Sequence, residues 1–218
     1  MAGGTFLLAM MAIIGVPGPV LIPLHASVQL VSNCTRVIAH REHICWRPFG
    51  VLALMATPFP LLGLELAEHL DFDQTKQLMG LLILYAAWVP KRSLNNLSET
   101  TSFGLAGVLG GTLGVVVGAV GPLIAPFFLR ADMNKNNIIA TKALCQAYLH
   151  ILKIVAFGAL GFTFKEQWQL FVPMAFAVIV GTYLGKWLLS RLKENRFRLL
   201  YKLILTLLAG RLILGGFL

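Results

Sequence analysis

Gly118-Ala-Val-Gly121-Pro122-Leu-Ile-Ala-Pro126 stands inside an apolar run at residues 105–129, and Gly15-Val-Pro-Gly18-Pro19-Val-Leu-Ile-Pro23 places its glycines and prolines in the same order. Both read GxxGPxxxP. Proline lacks an amide proton and fixes its own φ, and glycine permits a turn, so each copy interrupts a helix. In hydrocarbon, such a break is tolerated only where the freed backbone groups face protein or a wet cavity. Pro19 and Pro122 suit the first turn of a new half-helix. The free amides and positive dipole end of that half-helix attract an anion, which singles out Gly18 and Gly121. A packing kink without a ligand would account for one copy; two matched copies favour a binding site. The glycines upstream, Gly104, Gly107, Gly110, Gly111, Gly114 and Gly118, recur at spacings of three and four and read as a helix-packing face.

The rest of the chain sets those breaks in a membrane. Of 218 residues, 57% are hydrophobic and 12% are charged. A soluble domain carries about 25% charged residues. Runs at 6–16, 105–129, 171–184 and 199–214 approach the ~20 residues that cross hydrocarbon as a helix, and the short alternating segments of a membrane barrel are missing. The net charge of +9 comes from basic residues lying mostly between or at the ends of apolar runs. That is positive-inside orientation rather than a nucleic-acid surface. Cys34, Cys45 and Cys145 form no CxxC pair, so neither a disulfide nor a metal site is expected. Residues 3–15 lack the basic start of a cleavable signal. No HExxH pair, phosphate loop or nucleophile elbow occurs, so neither an enzyme nor a cofactor is expected.

Eight apolar segments are expected, near 3–18, 19–39, 48–68, 76–90, 102–130, 138–160, 168–190 and 198–217, in a single membrane domain over 1–218. The chain also reads as a duplication, with repeat 1 at about 1–98 and repeat 2 at about 99–218. The GxxGPxxxP copies match at an offset of 103 residues. A polar pattern in the next helices matches at 117. Gly63 and Lys76 match Gly185 and Arg198 at 122. Two insertions explain the growing offset. The connector holding Glu65, Glu68, Asp71 and Asp73 is acidic; its counterpart, with Lys186, Arg191, Lys193, Arg196 and Arg198, is basic. Together with the basic connectors at Arg41, Arg47, Lys91 and Arg92, this bias favours opposite orientation of the two copies. The expected fold is an all-α polytopic membrane protein of two inverted repeats. Each has about four helical segments, the first of them broken or re-entrant. A parallel repeat of eight simple spans is the alternative.

The polar pattern supplies the candidate site. His25, Gln29, Asn33 and Arg36 fall on one helical face, and Lys142, Gln146, His150 and Lys153 repeat the spacing. Ionisable residues inside membrane helices are costly and usually face a cavity or a partner. Arg36 and Lys153 also fit the snorkelling of long basic side chains at helix ends. Neither stripe holds a carboxylate, which speaks against a cation substrate. Donor-rich stripes beside two half-helix N-termini suit a small oxyanion, and the histidines could add pH sensitivity.

At these residues the chain resembles the sulfite exporter TauE/SafE family. The resemblance rests on the duplicated glycine-rich segments ending in Gly18-Pro19 and Gly121-Pro122, and on Gly185-Lys-Trp-Leu-Leu-Ser-Arg-Leu ahead of the last apolar segment. It implies a multi-pass permease of a bacterial or archaeal plasma membrane that exports sulfite or a related sulfonate. Its partners would be that small anion and the lipid bilayer, with no nucleic acid; self-association into a homo-oligomer is left open. A passive anion channel and a non-transporting scaffold subunit are the competing functions.

Overall fold

A computed structural model describes residues 3–88, 96–119, 121–191 and 194–214, all in helices and short turns. The helices are α1 (Gly3–Ile13), α2 (Gly18–Ala39), α3 (Trp46–Ala56), α4 (Phe59–Glu68), α5 (Phe72–Trp88), α6 (Glu99–Val117), α7 (Gly121–Phe128), α8 (Lys135–Ala159), α9 (Phe164–Arg191) and α10 (Glu194–Leu214), with a 3₁₀ turn at Arg41–His43. Lys91, Arg92 and Lys193, which belong to two of the expected basic connectors, lie outside the described residues.

By length and composition α6 and α8 can each cross a membrane; α3 with α4, bent by 45° where they meet, are a broken span or a re-entrant loop. That bend sits at Thr57 and Pro58. The Thr57 hydroxyl lies 2.7 Å from the Ala53 carbonyl and 2.8 Å from the Tyr148 hydroxyl, which ties the bend to α8. Leu54, Leu61, Trp168, Phe176 and Leu207 are exposed, as expected of a surface that meets lipid rather than water.

The glycines of α6 pack as their spacing predicts. A Cβ on Gly107 would lie 2.6 Å from the Leu52 carbonyl oxygen, and one on Gly111 2.8 Å from that of Ala56. From the other side, a Cβ on Gly63 would lie 2.5 Å from the Thr112 carbonyl oxygen. Three glycines therefore let α6 approach the α3–α4 pair backbone to backbone.

After α6 the chain turns back. Gly118 takes φ +78°, a conformation that favours glycine, and α7 starts at Gly121. Phe128 at the end of α7 packs edge-on against Phe103 in the second turn of α6, with centroids 5.1 Å apart. Just beyond, Arg130 Nη1 donates to the Leu97 carbonyl (3.1 Å) and the Ser102 hydroxyl (3.2 Å). Residues 97–130 thus close into a hairpin, its return limb only partly helical. The apolar segment expected at 102–130 is this broken pair.

Two helix pairs cross antiparallel at the centre. His25, in the first half of α2, stacks edge-on against His150, in the second half of α8, with centroids 6.1 Å apart. Beyond the end of α2, the Cys45 amide donates to Thr141 Oγ1 near the start of α8. In α5 and α10, Gly80 meets Ala209 and Ile213, while Trp88 Nε1, eight residues later, donates to Thr206 Oγ1. Around these pairs, α9 packs on α2 as α3 packs on α8, and α1 packs on α10 as α7 packs on α5.

Candidate functional site

The α2 stripe forms because its helix is long and its polar residues recur at helical spacing. Proline near its start supplies the first turn. Gly15, at φ +83°, turns the chain back from α1. The α8 stripe follows an N-cap: the Asn134 side chain accepts from the Asn136 and Asn137 amides at 2.9 and 3.0 Å. Because α2 and α8 cross antiparallel, their polar faces meet. His25, Gln29, Asn33, Lys142, His150 and Lys153 are all buried, and Gln146 and Arg36 half-buried.

The structure brings His25 to His150, Lys153 to Gly118 and Gln146 to Gly121. Lys153 is 2% exposed and is not a snorkelling end; its ammonium donates to the Gly118 carbonyl at 2.6 Å. The positive φ at Gly118 takes that carbonyl out of regular helix geometry, and a charged donor meets it. His25 Nε2 lies 2.8 Å from the Gly4 carbonyl. Arg36, in the last turn of α2, donates to Ser32 Oγ at 2.9 Å. Three buried atoms of the stripes carry no hydrogen bond among the described residues: His25 Nδ1, Asn33 Oδ1 and His150 Nδ1. Orphaned buried polar atoms cost about 1–3 kcal/mol each; two of the three stand on His25 and His150, whose ring centroids are 6.1 Å apart, and Asn33 lies two turns farther along α2.

The two Gly-Pro motifs occupy different places. Gly121 opens the short helix α7, and a Cβ there would lie 2.5 Å from Gln146 Nε2. Gly18 opens the stripe helix α2 itself, and a Cβ there would meet the Phe72 ring at 2.8 Å. The glycine against the first stripe is Gly4, whose Cβ would lie 2.8 Å from Gln29 Oε1. Gly4 to Gln29 and Gly121 to Gln146 are the same 25-residue step, and the two pairs are 117 residues apart, the offset of the stripes themselves. The GxxGPxxxP copies, offset by 103, open helices in different settings, α2 in one and the short α7 in the other. Gly4 escapes sequence reasoning because no proline stands beside it to mark the first turn of α1. The repeated 25-residue glycine–glutamine step is the signal that could find it.

Broken helices around a buried polar stripe, in a helical domain faced with apolar side chains, fit a membrane protein. The chain belongs to the sulfite exporter TauE/SafE family, whose model matches residues 1–212. Searches of curated proteins and of solved structures found no match.

Proposed function

We propose that the chain carries a small sulfur-containing oxyanion, sulfite or a related sulfonate, out across a bacterial or archaeal plasma membrane by alternating access. The observation that supports this most is the meeting of the α2 and α8 stripes at His25 and His150, both buried, with His25 bonded to Gly4 of α1 and Lys153 to Gly118 between α6 and α7. The half-helix N-termini of α1 and α7 supply backbone amides to the anion. Gln29, Gln146 and Asn33 position it by hydrogen bonds, while Lys142, Lys153 and Arg36 supply positive charge. α1, α2, α7 and α8 contain no aspartate or glutamate to repel it.

The two repeats are inverted about an axis through the α2–α8 and α5–α10 crossings. Equivalent helices that cross antiparallel are what such an axis requires. Rocking of one repeat against the other opens the site alternately to each side. A membrane potential worth about 2.3 kcal/mol per charge per 100 mV favours anion exit from a negative interior. Purified protein in liposomes is expected to release sulfite, and folded Lys142→Ala and Gln146→Ala variants to release it at least about tenfold more slowly. Normal rates in both variants would remove the site assignment, and no flux of sulfite, sulfate, thiosulfate or small sulfonates would remove the transport reading.

A further inference from the structure

The hydrogen bond between His25 and Gly4 decides which face of the imidazole the site presents. A carbonyl oxygen only accepts, so His25 Nε2 carries the proton in that bond. In the neutral ring Nδ1 is then a bare lone pair, buried and without a partner among the described residues. The buried Asn33 Oδ1, two turns along the same face, is another acceptor without a partner there. A fully deprotonated oxyanion offers only acceptors. Set against His25 Nδ1 it would bring lone pair to lone pair, even with the cations close by.

We propose that the site takes its anion together with one proton, held between the substrate oxygen and His25 Nδ1, so that the transported species is a monoprotonated oxyanion. This rests on the oxyanion reading above and narrows its substrate class. Sulfite plus one proton is hydrogensulfite, which leaves as a single negative charge where the bare dianion would leave as two. The proton sits on the substrate oxygen and donates to Nδ1, so one is carried with each anion. Sulfate, which stays doubly charged near neutrality, brings no such proton.

The groups around His25 fit this role. From α8 it faces His150, whose own Nδ1 is also without a partner among the described residues, and Lys153 acts on it electrostatically. Arg36 lies on its own helix, and α1, packed against it, contains no titratable side chain. α9 also packs on α2, but its Lys165 and Glu166 are on an exposed first turn. Lys153 is tied to Gly118 and Arg36 to Ser32, so both supply positive charge from fixed positions. No carboxylate stands on α1, α2, α7 or α8 to take the proton instead.

The test uses the full chain in liposomes with the membrane potential clamped, sulfite as the probe and an internal pH dye. The wild-type protein is expected to move one negative charge and one proton per sulfite, to run at least about tenfold faster at about pH 6 than at about pH 8 on the loading side, and to exclude sulfate. His25→Gln keeps a side-chain N–H for the Gly4 carbonyl and removes the Nδ1 acceptor. It is expected to flatten that pH profile. Two charges per sulfite with no proton movement in the wild type would overturn the inference without any variant. So would a His25→Gln profile as steep as the wild type. Absence of flux for every anion at every pH would instead strike the oxyanion reading.

Discussion

Adding one methyl group at Gly4 or at Gly121 tests whether the two glycine–glutamine contacts are equivalent. The new Cβ would lie 2.8 Å from Gln29 Oε1 in one case and 2.5 Å from Gln146 Nε2 in the other. To regain an ordinary contact of 3.4 Å, each amide must retreat, by roughly 0.6 Å and roughly 0.9 Å. Overpacking of this kind costs about 1–3 kcal/mol where a side chain is pushed off its rotamer. Alanine for glycine in a helix returns up to about 1 kcal/mol, so a single variant can look nearly neutral. A double-mutant cycle removes that ambiguity, because Gln→Ala abolishes the collision but leaves the backbone gain in place. Unfolding midpoints in detergent for Gly4→Ala with Gln29→Ala, and for Gly121→Ala with Gln146→Ala, are expected to give couplings of about 1 kcal/mol and the same sign. Gly18→Ala is expected to be additive with Gln29→Ala, because Gly18 faces Phe72 instead. Additive behaviour at Gly4 and Gln29, or coupling at Gly18, would refute the equivalence.

The Cβ of a Gly107→Val variant would meet the Leu52 carbonyl at 2.6 Å, and backbone cannot step aside as a side chain can. The substitution should destabilise by about 3 kcal/mol, the upper end for overpacking, read by thermal unfolding in detergent. Asn134→Ala removes an N-cap that accepts from two amides and should lower stability by about 1 kcal/mol in the same assay. Lys153→Met leaves the Gly118 carbonyl without its charged donor and takes a cation from the site. It should cut sulfite flux at least about tenfold in protein that remains folded by size-exclusion chromatography, and flux at the wild-type rate would contradict the role given to Lys153.

Much of the fold was legible because its signals are local. The glycine spacing in α6 announces a close helix contact wherever the partner lies, whereas α8 starts at Lys135, ahead of the segment expected from 138. The polar stripes were legible as faces because four-residue steps define a face without any tertiary information. Their mutual placement was not. That His25 lies beside His150, rather than beside its equivalent Lys142, follows from the antiparallel crossing of α2 and α8, which no local pattern encodes. The placement of the Gly-Pro copies was hidden for the same reason. Each reports a helix start, and nothing in nine residues says whether that helix is α2 or the short α7. Thr57 and Pro58 divide a segment that reads as one span, since a bend of 45° depends on the anchor to Tyr148 as well as on the proline.

The most direct measurement is to locate a bound heavy analogue of sulfite. Selenite, placed by its anomalous scattering in crystals of the full chain, is expected between α2 and α8. It should lie within hydrogen-bond reach of His25 and of the first-turn amides of α1 or α7. Selenite bound elsewhere, with the His25–His150 contact closed and empty, would contradict a transport site built on the two stripes.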